Sequence, residues 1–148
     1  MIFNERIECL PGAKLKELQG ERLKKFIANI HAKSPFYQKK MAQLGVSPSD
    51  IQTINDIVKL PFTVKDDLRD HYPFGLFIEP MASIQEIHVS SGTTGNPTVV
   101  GYSREDIDLW ADVIARSLCC AGAQAGDMIQ VATVTGFLPA GWGCITEV

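Results

Sequence analysis

The apolar residues Leu15, Leu18, Leu23, Phe26, Ile27 and Ile30 fall at helical spacing between Lys14 and Ala32. That spacing predicts an amphipathic helix with its apolar stripe turned inward. Ser34-Pro35 ends it, because a residue before proline is driven out of the α region. A second short helix is expected from Phe36 to Leu44, with Gly45 as its stop. Ser47-Pro48-Ser49-Asp50 has the form of a turn and cap opening a helical stretch through Ile54. The first sixty residues therefore predict helix and no strand.

Leu60-Pro61-Phe62 interrupts the helical pattern. Thr63 with Asp66 has the form of a capping box, predicting a helix that carries Lys65, Leu68 and Arg69. Tyr72-Pro73-Phe74-Gly75 closes it. Ile84 to Val89 alternates weakly and predicts a strand, and Val99-Val100-Gly101-Tyr102 predicts the returning one. Ser103 and Asp106 form a second capping-box pattern. The helix it opens should bury Ile107, Trp110, Val113, Ile114 and Leu118 and close near Gly122. After Gly126-Asp127 a last strand is expected from Met128 to Thr133. Strand, loop, strand, helix, strand is the order of an α/β domain, so the fold class expected is α/β behind a helical N-terminal region. The organisation expected is a helical region over 1–60, a partial α/β domain over 61–130, and a tail over 131–148.

Composition narrows the function classes. The formal net charge of -3 argues against a nucleic-acid binder, which needs a basic surface. Lys14, Lys16, Arg22, Lys24 and Lys25 cluster on the first helix, where a solvated face is the expected reading. Neither a signal peptide nor an apolar run of membrane-spanning length is evident, so a cytoplasmic protein without a membrane partner is expected. Cys9, Cys119, Cys120 and Cys144 show no C-x-x-C spacing, and neighbouring Cys119 and Cys120 point to different helix faces. Idle thiols in a reducing compartment, with no metal site, follow from that pattern.

Between the first two predicted strands lies Ser90-Ser91-Gly92-Thr93-Thr94-Gly95-Asn96-Pro97-Thr98. Gly92 and Gly95 allow positive φ and close approach to a ligand, and successive amides in such a turn form a nest for an anion. The hydroxyls of Ser90, Ser91, Thr93, Thr94 and Thr98 add donors for phosphate oxygens. By composition alone two readings stay open, a solvated hairpin loop and a phosphate loop. The segment is not a Walker A loop, since G-x-x-x-x-G-K-[ST] is absent and a strand, not a helix, follows.

The string S-S-G-T-T-G-x-P-T resembles the phosphate-loop signature of the adenylate-forming enzymes (acyl- and aryl-CoA synthetases, luciferases, peptide-synthetase adenylation domains). Further motifs narrow the resemblance to phenylacetate–CoA ligases. These are Ser34-Pro35-Phe36-Tyr37, Leu60-Pro61-Phe62-Thr63, Lys65-Asp66-Asp67-Leu68-Arg69 and Tyr72-Pro73-Phe74-Gly75-Leu76-Phe77. Ile87-His88-Val89 before the loop, Val100-Gly101-Tyr102 after it, and Ala115-Arg116-Ser117-Leu118 continue the match to about Gln130.

The resemblance implies an acid–thiol ligase of phenylacetate catabolism. Such enzymes join an aryl acid to coenzyme A through an acyl-adenylate, releasing AMP and pyrophosphate. It implies that Ser90, Ser91, Gly92, Thr93, Thr94, Gly95, Asn96, Pro97 and Thr98 grip the phosphates of ATP, with Mg2+ neutralising the triphosphate. Catalysis of this kind rests on positioning and charge stabilisation. The family usually has lysine at the position of Asn96, so a full charge is replaced by a neutral donor, and neutral hydrogen bonds are roughly half as strong as charge-assisted ones. The catalytic lysine of the adenylation step, the ribose-binding carboxylate and most of the acid pocket have no counterpart here, so the chain is expected to hold no catalytic residue and to have little activity alone. A truncated remnant that binds nucleotide or a partner, or one part of a split ligase, are the alternatives. His88 can be read as a catalytic base beside the loop, and the resemblance, which places a histidine at this position, implies a structural or substrate-side role, but a packed, hydrogen-bonded histidine is the expected reading. Trp110 is expected to be a core residue, and Lys65 and Arg69 members of a solvated helix face.

Beyond Gln130 the resemblance breaks. The family pattern continues near Ser-Tyr-Gly-Tyr-Gly-Leu-Phe-Thr-Gly-Gly-Leu-Gly, whereas this chain reads Val-Ala-Thr-Val-Thr-Gly-Phe-Leu-Pro-Ala-Gly-Trp-Gly-Cys-Ile-Thr-Glu-Val. Codons that encode the second string from Ala132 yield the first when read from one base earlier. The tail 131–148 is therefore expected to be out of frame, and the strand before it to present an unpaired, aggregation-prone edge.

Overall fold

The computed structural model describes residues 2–90 and 97–130. The described elements, in order, are α1 (Glu5–Glu8), α2 (Gly12–Lys33), α3 (Pro35–Gln43), α4 (Lys65–Asp70), β1 (Ile84–Val89), β2 (Val99–Ser103) and α5 (Arg104–Cys120). Short 3-10 helices occupy Pro48–Asp50, Ile54–Lys59 and Met81–Ser83. Two compact units divide the chain: Cys9–Val64, and the chain up to Glu8 together with that from Lys65 onward.

In the unit Cys9–Val64, α2 and α3 meet at a single residue. Ser34 donates its backbone N–H to the Ile30 carbonyl, ending α2, while its hydroxyl accepts from the Tyr37 N–H, opening α3 with Pro35 in the first turn. Proline suits that position because the first helical N–H has no partner within the helix. The core is Ile27, Met41 and Ile51, with Leu23, Val46 and Leu60 packed against it. Gly20 is also buried, and a Cβ there would lie 3.3 Å from the Ile54 nitrogen, so the missing side chain lets the Ile54–Lys59 segment approach α2. Not all of the predicted stripe is inside: Phe26 is 57% exposed.

The Asp56 carboxylate caps this 3-10 helix, accepting from the Thr53 and Gln52 amides at 2.8 and 3.0 Å and pairing with Lys59 at 2.7 Å. Foremost the Lys59 ammonium, and then those two amides, hold its carboxyl well below the usual carboxylate range. The Thr63 capping box does not form. Helix α4 starts at Lys65, and the Thr63 hydroxyl instead pairs with the Tyr37 hydroxyl at 2.7 Å.

In the second unit β1 and β2 form an antiparallel hairpin. Glu86 pairs with Tyr102, His88 with Val100 and Val89 with Val99, but Ile84 pairs with Ser103, so Gln85 is an extra residue. This bulge explains the weak alternation in the sequence. It turns Ile84 to the same face as Ile87 and Val89, which strict alternation would forbid. On that face Gly101 receives Phe77: a Cβ at Gly101 would overlap the Phe77 ring. The opposite face carries Glu86, His88 and Tyr102, covered by Trp110 of α5.

Helix α5 opens on the Ser103–Asp106 capping box that the sequence predicts, and it closes at Cys120. Cys119 is buried and Cys120 exposed, as their neighbouring positions require. Val113, expected inside, is 46% exposed. Asp112 pairs with Arg116 one turn later and accepts from Asn4 beside α1, a contact at 3.4 Å that ties the N-terminal stub to α5. The expected strand from Met128 is not formed over Met128–Gln130, where Met128 is 98% exposed. Among the described residues no third strand offers these backbone groups a partner, and 131–133 lie outside the described residues. Arg69 departs from the solvated face expected of it: its side chain is 22% exposed and donates to Asp66 at 3.2 Å.

Candidate functional site

The chemistry-bearing segment joins the two hairpin strands. Past Val89 and Val99 the pairing continues by one rung: the Ser90 N–H donates to the Thr98 carbonyl at 2.9 Å, and the Thr98 N–H donates to the Ser90 hydroxyl at 2.9 Å. Two hydrogen bonds thus fix where the strands part. Of the nine residues singled out in the sequence, Ser90, Pro97 and Thr98 are described, while Ser91, Gly92, Thr93, Thr94, Gly95 and Asn96 lie outside the described residues.

The geometry separates two roles that the sequence left merged. Ser90 uses its oxygen to hold the base of the loop, leaving only its hydroxyl proton to donate elsewhere. Thr98 keeps its hydroxyl free: Oγ1 is buried and has no hydrogen-bond partner among the described residues. A buried hydroxyl without a partner costs free energy, so its persistence calls for a reason.

Two positions away on the same face stands His88. Its Nε2 lies 3.1 Å from the Glu86 carboxylate, and the side chain is only 11% exposed. Its ring centroid lies 4.8 Å from that of Tyr102 and 5.7 Å from that of Trp110, and those two rings are 5.2 Å apart. The packed, hydrogen-bonded histidine expected from sequence is thus found at one nitrogen only. Nδ1 is buried with no hydrogen-bond partner among the described residues. No pattern in the sequence marks it, because Glu86 and His88 meet only through the two-residue period of a strand.

No group of three or more His, Cys, Asp or Glu side chains suited to hold a metal occurs among the described residues. In the unit Cys9–Val64, a hollow of about 620 Å³ is lined by Lys40, Leu44, Val58 and Phe62 among others, and a smaller one lies beside Gly20 and Thr53. No described helix is long and apolar enough to cross a membrane.

No protein-family profile matches the chain. Among curated proteins it is 46% identical over 143 residues to the phenylacetate-coenzyme A ligase of Thermus thermophilus, covering 97% of this chain and 32% of that ligase. It is 44% identical over 146 residues to the Escherichia coli phenylacetate-coenzyme A ligase, covering 97% and 33%. The chain thus spans about a third of the length of these relatives, at their N-terminal end. Among solved structures it superposes on 2-hydroxyisobutyryl-CoA ligase in the postadenylation state in complex with 2-HIB-AMP. The TM-score is 0.81 with 30% identity, over 90% of this chain and 29% of that one. An open conformation of the same ligase, in complex with 2-HIB-AMP and CoA, gives a TM-score of 0.81 at 29% identity over 90% and 30%.

Proposed function

We propose that this chain is the N-terminal portion of an aryl-acid–CoA ligase, phenylacetate being the first candidate acid, and that it contributes the ATP-phosphate loop, residues 90–98, to that enzyme. The observation that carries the proposal is the S-S-G-T-T-G-N-P-T sequence linking two strands whose register runs to the Ser90–Thr98 rung. The chain that holds it shares 43% to 46% identity with four phenylacetate-coenzyme A ligases.

The reaction is ATP-dependent activation of the acid as an acyl-adenylate, with loss of pyrophosphate, then transfer of the acyl group to CoA with release of AMP. In it the Ser90–Thr98 rung sets the width of the loop, and backbone amides and hydroxyls bind the β- and γ-phosphates. Mg2+ bound with ATP supplies further charge neutralisation. The acid pocket and CoA site draw on residues corresponding to the remaining two thirds of the relatives, so this chain alone performs no complete turnover. A cytoplasmic location is part of the proposal.

Calorimetry with Mg-ATP tests the loop: saturable binding that Thr94→Ala weakens is expected, and absence of binding sinks the assignment. Mixing the chain with a separately expressed segment covering the other two thirds of a close relative tests the enzyme. Acid-dependent AMP formation is expected from the mixture and from neither part alone. Binding without any complementation would favour a nucleotide-binding remnant over a split ligase.

A further inference from the structure

We propose that His88 is an anion-contacting residue of the loop site: its protonated ring, held at Nε2 by Glu86, donates Nδ1–H to a polyphosphate oxygen beside the Thr98 hydroxyl. This rests on the phosphate-loop function proposed above and adds a residue outside the segment 90–98.

The placement comes from the hairpin register. His88 and Ser90 alternate onto one face of β1 and its continuation, and Val100 and Thr98 oppose them. On that face His88 Nδ1 and Thr98 Oγ1 are both buried, and neither has a hydrogen-bond partner among the described residues. Diagonal neighbours of this kind stand about 7–8 Å apart at the backbone, a separation that one polyphosphate group can bridge. The two unsatisfied atoms therefore face a common ligand more economically than two separate ones.

The protonation state follows from the neighbours. A carboxylate accepts, so the Glu86 contact at 3.1 Å fixes the hydrogen on Nε2. Nδ1 then either offers a lone pair or carries a second proton. Polyphosphate oxygens in Mg-bound form accept hydrogen bonds and donate none, so only the protonated ring complements them. Its positive charge is not left alone in the interior, because the Glu86 carboxylate already opposes it. The groups facing the ring are Glu86 from β1, Tyr102 from β2 and Trp110 from α5, and the last does not titrate. Trp110 and Tyr102 hold the ring edge-on and tilted, so Nδ1 cannot swing away to solvent without breaking both contacts. If the unliganded ring is neutral, binding takes up a proton and affinity falls as pH rises.

Proton–nitrogen correlation spectra of the imidazole rings test this on the intact chain. The three histidines are His31, His71 and His88, and loss of a signal in His88→Gln assigns the third. At about pH 7.5 saturating Mg-pyrophosphate should move the His88 Nδ1 resonance to its protonated position. Affinity for Mg-pyrophosphate and Mg-ATP should drop about tenfold between about pH 6 and about pH 8, across the range in which imidazoles change charge. His88→Gln, which keeps a neutral donor but cannot titrate, should bind more weakly at about pH 6 and lose that part of the pH slope. Ligand protonation affects both proteins alike and cancels in the comparison. An unmoved Nδ1 resonance under saturation overturns the proposal, as does an equal slope in His88→Gln. If neither ligand binds at any pH, the phosphate-loop assignment itself is overturned. The wild-type spectrum decides the matter even if His88→Gln does not fold.

Discussion

Asp56 and Asn96 show how much a single side chain governs in this molecule. The Asp56 carboxyl is depressed in the folded protein, so the stability it lends is present above the ordinary carboxylate range and lost as pH falls through it. Acid titration followed by circular dichroism should therefore show helix loss beginning below about pH 4. Asp56→Asn should be less stable near neutrality and show a shallower acid limb. Under the proposed phosphate-loop function, Asn96→Lys adds a charged donor and should raise Mg-ATP affinity by about three- to tenfold, read by calorimetry. Asn96 lies outside the described residues, so its proposed role rests on the sequence. Thr63 could not: its spacing to Asp66 satisfies a capping box, but the Tyr37 hydroxyl, 26 positions earlier, captures its oxygen. The free Nδ1 of His88 was likewise illegible, since a missing partner is a fact of packing and not of spacing.

At the scale of elements, the caps were the most legible features, because a cap needs only a few neighbouring residues. Ser103 with Asp106 caps α5 as read, and Ser34-Pro35 ends α2 as read, while the cap that Ser34 gives α3 was not read. Ser103→Ala should cost about 1 kcal/mol in thermal unfolding, by removing the acceptor for the Asp106 amide. The strand predicted at Met128 failed for the opposite reason. A strand is a relation between two segments, and no described segment pairs with it. The exposure of Phe26 and Val113 has the same origin: periodicity fixes which residues share a face but not how wide a band the neighbours cover. The hairpin's second face makes a sharper test. Gly101→Ala should destabilise by about 1–3 kcal/mol, since its methyl meets the Phe77 ring. Phe77→Leu in the same chain should recover part of that loss, which chemical denaturation can measure.

At the scale of the whole molecule, the resemblance to phenylacetate–CoA ligases was legible from motif order alone, and the relatives and superposed structures bear it out. The tail is another matter. Alignment over 143 residues runs past Gln130. An out-of-frame tail remains our proposal, and its coding DNA decides it: restoring the frame near Gln130 should yield the family's glycine-rich continuation. The bulge at Gln85 bears on how such a chain tolerates changes in length. Pairing from Glu86 through Tyr102 is set independently of Ile84, because the extra residue absorbs the mismatch between them. Removing Gln85 should leave the loop mouth in register and keep Ile84 opposite Ser103, on the face of Gly101 and Phe77, because plain alternation then places it there. The hairpin is thereby insulated from insertions and deletions upstream, and the spacing between its two ends can drift over evolutionary time without disturbing the ligand-facing rung.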